Sequence, residues 1–216
     1  MKDIRAHITS HRDDFNDESL NGTVLSSDPL KQFEKWLEEA IENEVNEAYA
    51  LSLSTVGQDG FPSTRIVFLR GISNGGLIFY TNYGSLKGRE LAAEDRALMN
   101  FFWPELQRQV RVKGLVSKIS PEQSDDYFAS RPRNSQLGAW ASKQSQPLDS
   151  RETLENRVKE LEMEYEGRVI PRPENWGGYV LIPVEWEFWK GRSSRLHDRF
   201  TYTQKGEDWM ITRLYP

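Results

Sequence analysis

The feature that most constrains this chain is how its strand-like segments cluster. AYALSLSTV (48–56), STRIVFLR (63–70) and LIFYTN (77–82) follow one another with only turns between them, at Asp59-Gly60 and Gly75-Gly76. ALMNFFW (97–103) and LQRQVRVKGLVSKI (106–119) come next, separated by Pro104. WGGYVLIPVEWEFWKG (176–191), RLHDRFTYTQ (195–204) and DWMITRLYP (208–216) close the chain, with Lys205-Gly206 suited to the last hairpin turn. Strands joined by tight turns pair antiparallel, whereas a parallel sheet needs a crossover, usually helical, between successive strands. That alternation is not sustained here, so a doubly wound sheet is disfavoured. The expected class is mainly β with peripheral helices, an antiparallel barrel of about eight strands.

The helices carry their own signals. Asp28 can cap and Pro29 fits a first turn, ahead of Leu30, Phe33, Leu37, Ala40 and Ile41 at helical spacing. This predicts a helix over about 30–46 with one buried stripe. GSLKGRELAAE (84–94) reads as a short helix. Ser120-Pro121-Glu122-Gln123 opens another, running to about Ser130, and a further short one covers 134–142. Ser150 begins a longer helix with Leu154, Val158, Leu161 and Tyr165 on one face and Glu155/Lys159 as a supporting pair. Residues 1–27 are polar and read as a flexible arm, and 28–216 as a single domain with neither repeat nor linker.

Composition removes several classes of function. There is no cysteine, hence no disulfide, thiolate metal site or iron–sulfur cluster. His7 and His11 stand four apart in a polar stretch and His197 is remote in sequence, so no metal site is expected. A formal charge of −5 argues against a nucleic-acid coat, which needs a basic face. No apolar run reaches the roughly 20 residues of a membrane helix, and the N-terminus lacks a secretory h-region. The expected compartment is the cytoplasm.

Against this acidic background, cations gather in a few motifs. In RLHDR (195–199), a strand would set Arg195, His197 and Arg199 on one face at about 6.6 Å per step. That row is either an anion site with a proton-exchanging imidazole or a solvated edge strand with Asp198 as an ion-pair partner. In RPRNSQ (131–136), Arg131 and Ser135 could reach a phosphate, with Tyr127 one helical turn earlier; the alternative is a basic helix end. Arg65 and Arg70, five apart, fall on opposite faces of a strand and call for two separate partners. FYTNYGSLK (79–87) runs from strand through a Gly turn into a helix start, where free N–H groups and Lys87 suit a phosphate. Gln144-Ser145 could donate further hydrogen bonds. No GxGxxG, GxxxxGK[ST] or GxSxG occurs.

Taken together, RxVxL (65–69), FYTNxGSxK (79–87), QV (109–110), YFxSRPRxSQxGAWxSxQS (127–145) and FWxGxxxRLHDRFxY (188–202) resemble the pyridoxine/pyridoxamine 5′-phosphate oxidase family. The resemblance runs in order from about residue 28 to the final RLYP (213–216). It implies a split β-barrel homodimer holding FMN at the subunit interface. The implied reaction oxidises pyridoxamine or pyridoxine 5′-phosphate to pyridoxal 5′-phosphate. Hydride passes from C4′ to flavin N5, dioxygen becomes hydrogen peroxide, and ammonia leaves from the amine. Carried over, FMN contacts fall on Arg65, Ile66, Tyr80, Thr81, Lys87, Gln109, Gln144, Ser145, Trp189 and Arg199. Substrate contacts fall on Arg70, Tyr127, Arg131, Ser135, Arg195 and His197, the last two being the catalytic pair. No metal, nucleic acid or membrane is implied. Three positions depart from the family's habit: Arg70 replaces a lysine, Leu86 stands where arginine is common, and Phe15, which with Arg12 aligns loosely with an arginine–tyrosine pair, lacks the tyrosine hydroxyl.

Overall fold

The structure, a computed structural model, describes residues 14–15, 19–20 and 25–216. Helix α1 (Pro29–Glu42) precedes four strands: β1 (Ala50–Val56), β2 (Pro62–Phe68), β3 (Gly71–Ser73) and β4 (Gly76–Asn82). Helix α2 (Leu86–Ala93) leads to β5 (Arg96–Trp103) and β6 (Arg108–Lys118). Three helices follow, α3 (Pro121–Ser130), α4 (Arg133–Ala141) and α5 (Arg151–Glu164). Strands β7 (Trp176–Lys190), β8 (Asp198–Lys205) and β9 (Asp208–Leu214) finish the chain. The strands form one sheet in the order β2-β1-β5-β6-β7-β4-β3, with β8 joined to β7 and β9 to β8. The pairs β1–β2, β3–β4, β4–β7, β7–β8 and β8–β9 are all antiparallel, as the short turns joining β1–β2, β3–β4 and β8–β9 require of those three.

The caps are where the sequence puts them. The side chains of Asp28, Ser120 and Ser150 accept from Leu30 N, Gln123 N and Thr153 N at 2.9, 3.2 and 3.2 Å. Each satisfies an orphan donor of a first turn. Four details differ. The stripe of α1 is Phe33, Trp36 and Ala40, while Ile41 is exposed, because Trp36 brings the larger ring to the core. Glu155 pairs with Arg151, not Lys159. The turn before β4 lies at Asn74-Gly75, both with positive φ, so Gly76 is already strand. The strand expected from Arg195 begins only at Asp198: residues 193–195 form a 3-10 turn in which Ser194 and Arg195 have φ of 55° and 60°.

The chain divides into two compact units. The first comprises residues up to Ala48 with Asn100–Val112 and Glu185–Pro216. Its core is aromatic: Phe33 lies 4.8 Å from Phe101 and 5.5 Å from Trp186, and Trp36 meets Phe188 edge-on at 5.3 Å. Burying one such ring fully contributes roughly 1.5–3 kcal/mol. Trp103 donates its indole N–H to Ala48 O at 2.8 Å, so the polar end of that ring is satisfied.

The second unit comprises Tyr49–Met99 and Lys113–Val184. It holds β1–β4, all of α2–α5 and the first part of β7. Phe128, Leu137, Leu161, Ile170 and Trp176 form the core under its helices. A Cβ on Gly178 would collide with Ile119 and the Tyr80 ring, so the Gly177-Gly178 pair lets β7 lie close against β4. Among the described residues no helix is long and apolar enough to cross a membrane, and no cluster of His, Asp and Glu could hold a metal. His7, His11 and Arg12 lie outside the described residues, as does most of the arm at 1–27.

Candidate active site

A hollow of about 680 Å³ lies within the second unit. Strand β2 and its exit supply Ile66, Phe68 and Arg70; β4 supplies Tyr80, Thr81 and Asn82; α2 supplies Lys87. From the helices come Tyr127, Arg131 and Ser135, with Gln144 from the following loop and Trp176 from the start of β7. The lining includes the cations Arg70, Lys87 and Arg131 and no aspartate or glutamate. A concave site of this size with convergent cations suits a phosphorylated ligand.

Each cation is held differently. Lys87 is buried, and its Nζ donates to Thr81 Oγ1 at 3.2 Å and to Gln144 Oε1 at 3.0 Å. Burial, and next the Arg65 charge, lower its pKa, with Glu90 acting in the opposite sense. Arg70 rests over the rings of Phe68 and Tyr49, 4.9 and 5.2 Å from their centroids. The Arg131 guanidinium lies 4.5 Å over Trp176, and its buried Nη1 has no hydrogen-bond partner. Burial pushes its pKa down, and no carboxylate offsets this. Among the described residues neither Arg70 nor Arg131 has an acidic partner. A partly buried charge without a counterion is costly, so Arg131 is suited to an anion brought by a ligand, and the exposed Arg70 adds a second cation on the same hollow.

Arg65 does not itself line this hollow, in keeping with its five-residue offset from Arg70, although its charge acts on Lys87. It pairs with the buried Glu90 at 3.2 Å and also donates to Thr55 Oγ1 and Leu53 O. Burial raises the Glu90 pKa, but hydrogen bonds from Thr55 and Ser63 and the Arg65 charge outweigh it and leave it lowered. Ser145, in the left-handed region at φ 66°, lines a neighbouring hollow together with Gln144.

The remaining candidates belong to the first unit. Trp189 and Arg199 are cross-strand partners on β7 and β8. The Arg199 guanidinium bonds the buried Glu187 at 2.8 Å and Tyr215 O at 3.1 Å. Gln109 is half-buried on β6. The rings of Trp189 and His197 lie 4.7 Å apart, and Phe15 meets them edge-on at 5.8 and 5.3 Å.

The single-face row of Arg195, His197 and Arg199 is corrected: Arg195 sits in the turn before β8, since two successive left-handed residues break an extended chain. His197 Nδ1 accepts the Arg192 backbone N–H at 3.1 Å, which leaves the ring proton on Nε2. Burial, and next Arg195, lower its pKa; Asp14 opposes them. The buried Asp198 accepts from Arg192 Nη1 at 3.1 Å, Leu20 N at 2.9 Å and Arg213 Nη2.

Nine sequence-based candidates thus line one hollow: Ile66, Arg70, Tyr80, Thr81, Lys87, Tyr127, Arg131, Ser135 and Gln144. Trp176 and Glu90 escaped the sequence reading. Trp176 stands 45 positions beyond Arg131, and nothing in a linear pattern links them.

Comparison with known proteins agrees with this geometry. A family model described as "Pyridoxamine 5'-phosphate oxidase" matches residues 37–165, and one for the "Pyridoxine 5'-phosphate oxidase C-terminal dimerisation region" matches 176–216. A relative from Rubrobacter xylanophilus, named pyridoxine/pyridoxamine 5′-phosphate oxidase, is 48% identical over 212 residues, covering 98% of each chain. One of the same name from Paraburkholderia phytofirmans is 50% identical over 200 residues, covering 92% of this chain and 93% of the relative. Among solved structures, PhzG from Burkholderia lata 383, in complex with tetrahydrophenazine-1-carboxylic acid, superposes with a TM-score of 0.87 at 33% identity, covering 94% of this chain and all of PhzG. An FMN-binding protein from Nostoc punctiforme shares the fold alone, at a TM-score of 0.70 and 18% identity, covering 92% of this chain and all of that one. The antiparallel barrel expected from the strand pattern, and the split barrel implied by the resemblance, agree with the class of these neighbours. The chain therefore belongs to the pyridoxine/pyridoxamine 5′-phosphate oxidase family of enzymes.

Proposed function

We propose that this enzyme oxidises pyridoxamine 5′-phosphate and pyridoxine 5′-phosphate to pyridoxal 5′-phosphate, with FMN as cofactor and dioxygen as final acceptor. Hydrogen peroxide is the coproduct, and the amine substrate also takes up water and releases ammonia. The observation that carries the reading is the acid-free hollow, whose Arg70 and Arg131 have no acidic partner among the described residues, with the orphaned Arg131 Nη1. This donor set fits phosphate esters: an in-plane guanidinium fork, a buried ammonium and the hydroxyls of Tyr127 and Ser135. The relatives' names supply the oxidase chemistry.

FMN, when bound, supplies the hydride acceptor and the route for electrons to dioxygen. Lys87, Thr81, Tyr80, Ile66 and Gln144 would hold it, assisted by Arg65, Ser145, Gln109, Trp189 and Arg199. Arg70, Tyr127, Arg131 and Ser135 would bind the substrate phosphate. Arg195 and His197 would orient the pyridine ring, with neutral His197 donating through Nε2. The family's dimerisation region supports a homodimer as the working form.

The test is the absorption spectrum. The purified protein should be yellow, and pyridoxamine 5′-phosphate added without oxygen should bleach the flavin band; air should restore it as aldehyde and peroxide accumulate. A colourless protein that takes up no added FMN would end this reading. A tricyclic carboxylic acid, as in the PhzG complex, is the second substrate class to assay, since that structure shares 33% identity. Bleaching by such an acid and not by the phosphate ester would reverse the order.

A further inference from the structure

We infer that Trp176 is a positioning residue for the substrate's phosphate, acting through Arg131; the inference deepens the proposed function and rests on it. The backbone around Arg131 is clamped. Gln136 Nε2 donates to Arg131 O at 3.1 Å, to Ala129 O at 3.1 Å and to Phe128 O at 3.0 Å. The guanidinium, by contrast, is held by ring faces: Trp176 at 4.5 Å and Phe128 at 5.6 Å. A flat cation resting on an aromatic face spends none of its N–H donors there. The fork therefore stays available in its own plane, which agrees with the buried Nη1 having no partner.

Trp176 is itself fixed at the lip of β7. Its backbone N–H donates to Pro173 O at 3.0 Å, and its backbone carbonyl accepts from Arg172 Nη1 at 2.7 Å. Its ring is parallel to Tyr127 within 1° and to Tyr80 within 12°. Tyr80 and Tyr127 stack at 3.7 Å. Trp176 therefore stands in one aromatic wall and presents a fixed face to the Arg131 guanidinium. The cation–π attraction is strongest for tryptophan, weaker for phenylalanine and absent for leucine.

The experiment uses the flavin-loaded enzyme with Trp176→Phe, Trp176→Leu, Arg131→Leu and the double variant Trp176→Leu/Arg131→Leu. For pyridoxamine 5′-phosphate, KM should rise about threefold in W176F and about tenfold in W176L, with kcat within about twofold. For unphosphorylated pyridoxamine, kcat/KM should not move. The double variant should match R131L, because the tryptophan acts only through the arginine. Additive effects, or equal KM shifts for both substrates, would overturn the inference and leave Trp176 a core residue only. Should W176L fail to fold, W176F carries the same comparison. Calorimetric titration with inorganic phosphate separates the two claims. If wild type binds phosphate more tightly than W176F but oxidises no B6 ester, the reading of the substrate fails and the assignment to Trp176 holds; equal phosphate binding overturns the assignment.

Discussion

Arg131 and His197 show how a single side chain's chemistry is set by what surrounds it. Arg131 is the cation with most to gain from an incoming anion, since burial already lowers its pKa and no carboxylate offsets that. Arg131→Leu should weaken binding of the phosphorylated substrate by about 2 kcal/mol, a factor of about thirty in KM, with flavin content unchanged. Steady-state kinetics and the flavin-to-protein absorbance ratio check both halves. His197 works as a neutral donor in the proposed mechanism, and its pKa lies below the usual 6.5. The kcat/KM profile should therefore be flat through neutrality and fall on the acid side, with an apparent pKa under 6.5. A limb rising above that value on the way to alkaline pH would mean that the charged imidazole blocks the reaction at neutral pH, contrary to this assignment. Phe15, which meets His197 edge-on, has no hydroxyl to add to this set.

At the scale of elements, α2 is fastened to the β1–β2 hairpin through one carboxylate. Glu90 accepts from Ser63 Oγ at 2.7 Å, from Thr55 and from Arg65. Glu90→Ala leaves Arg65 partly buried without a counterion and should cost about 3 kcal/mol in urea unfolding. The sign of its pH dependence follows from the lowered Glu90 pKa. The stabilisation is complete above the ordinary glutamate value of 4.5 and is lost as pH falls through the lower folded value, so wild type and E90A should converge in acid. Helix caps and hairpins were legible because their determinants are local: a serine or aspartate at the N-cap, a glycine at positive φ. The 195–197 segment was not. Its alternating polar pattern fits a strand, yet Asp198 draws Arg192 and Arg213 onto itself and the preceding turn takes left-handed φ at Ser194 and Arg195. Period alone cannot register ion pairs made by residues six and fifteen positions away.

For the molecule as a whole, charge is the informative quantity. A chain of net charge −5 keeps a hollow lined by three cations and no acid. Binding of the phosphate ester should weaken as ionic strength rises, whereas uncharged pyridoxamine analogues should be indifferent; titrations at low and high salt decide this. The match of 176–216 to a dimerisation region carries a further expectation. Sedimentation should give twice the chain mass, and dilution to monomer should release flavin. A monomer that retains its full complement of flavin would contradict a site built at a subunit interface.

Order, caps, turns and the antiparallel class were determined by local chemistry, and the sequence alone carries them: strand periods of two, N-cap oxygens and glycines at turns act over a few residues. The motif resemblance likewise named the cations. Which cations remain unpaired was decided by tertiary structure. Arg65 finds Glu90, Arg199 finds Glu187, and among the described residues Arg70 and Arg131 meet aromatic faces and no carboxylate. The reason is physical: an ion pair depends on distance in space, and burial sets its worth, while neither is encoded in the spacing of residues along the chain.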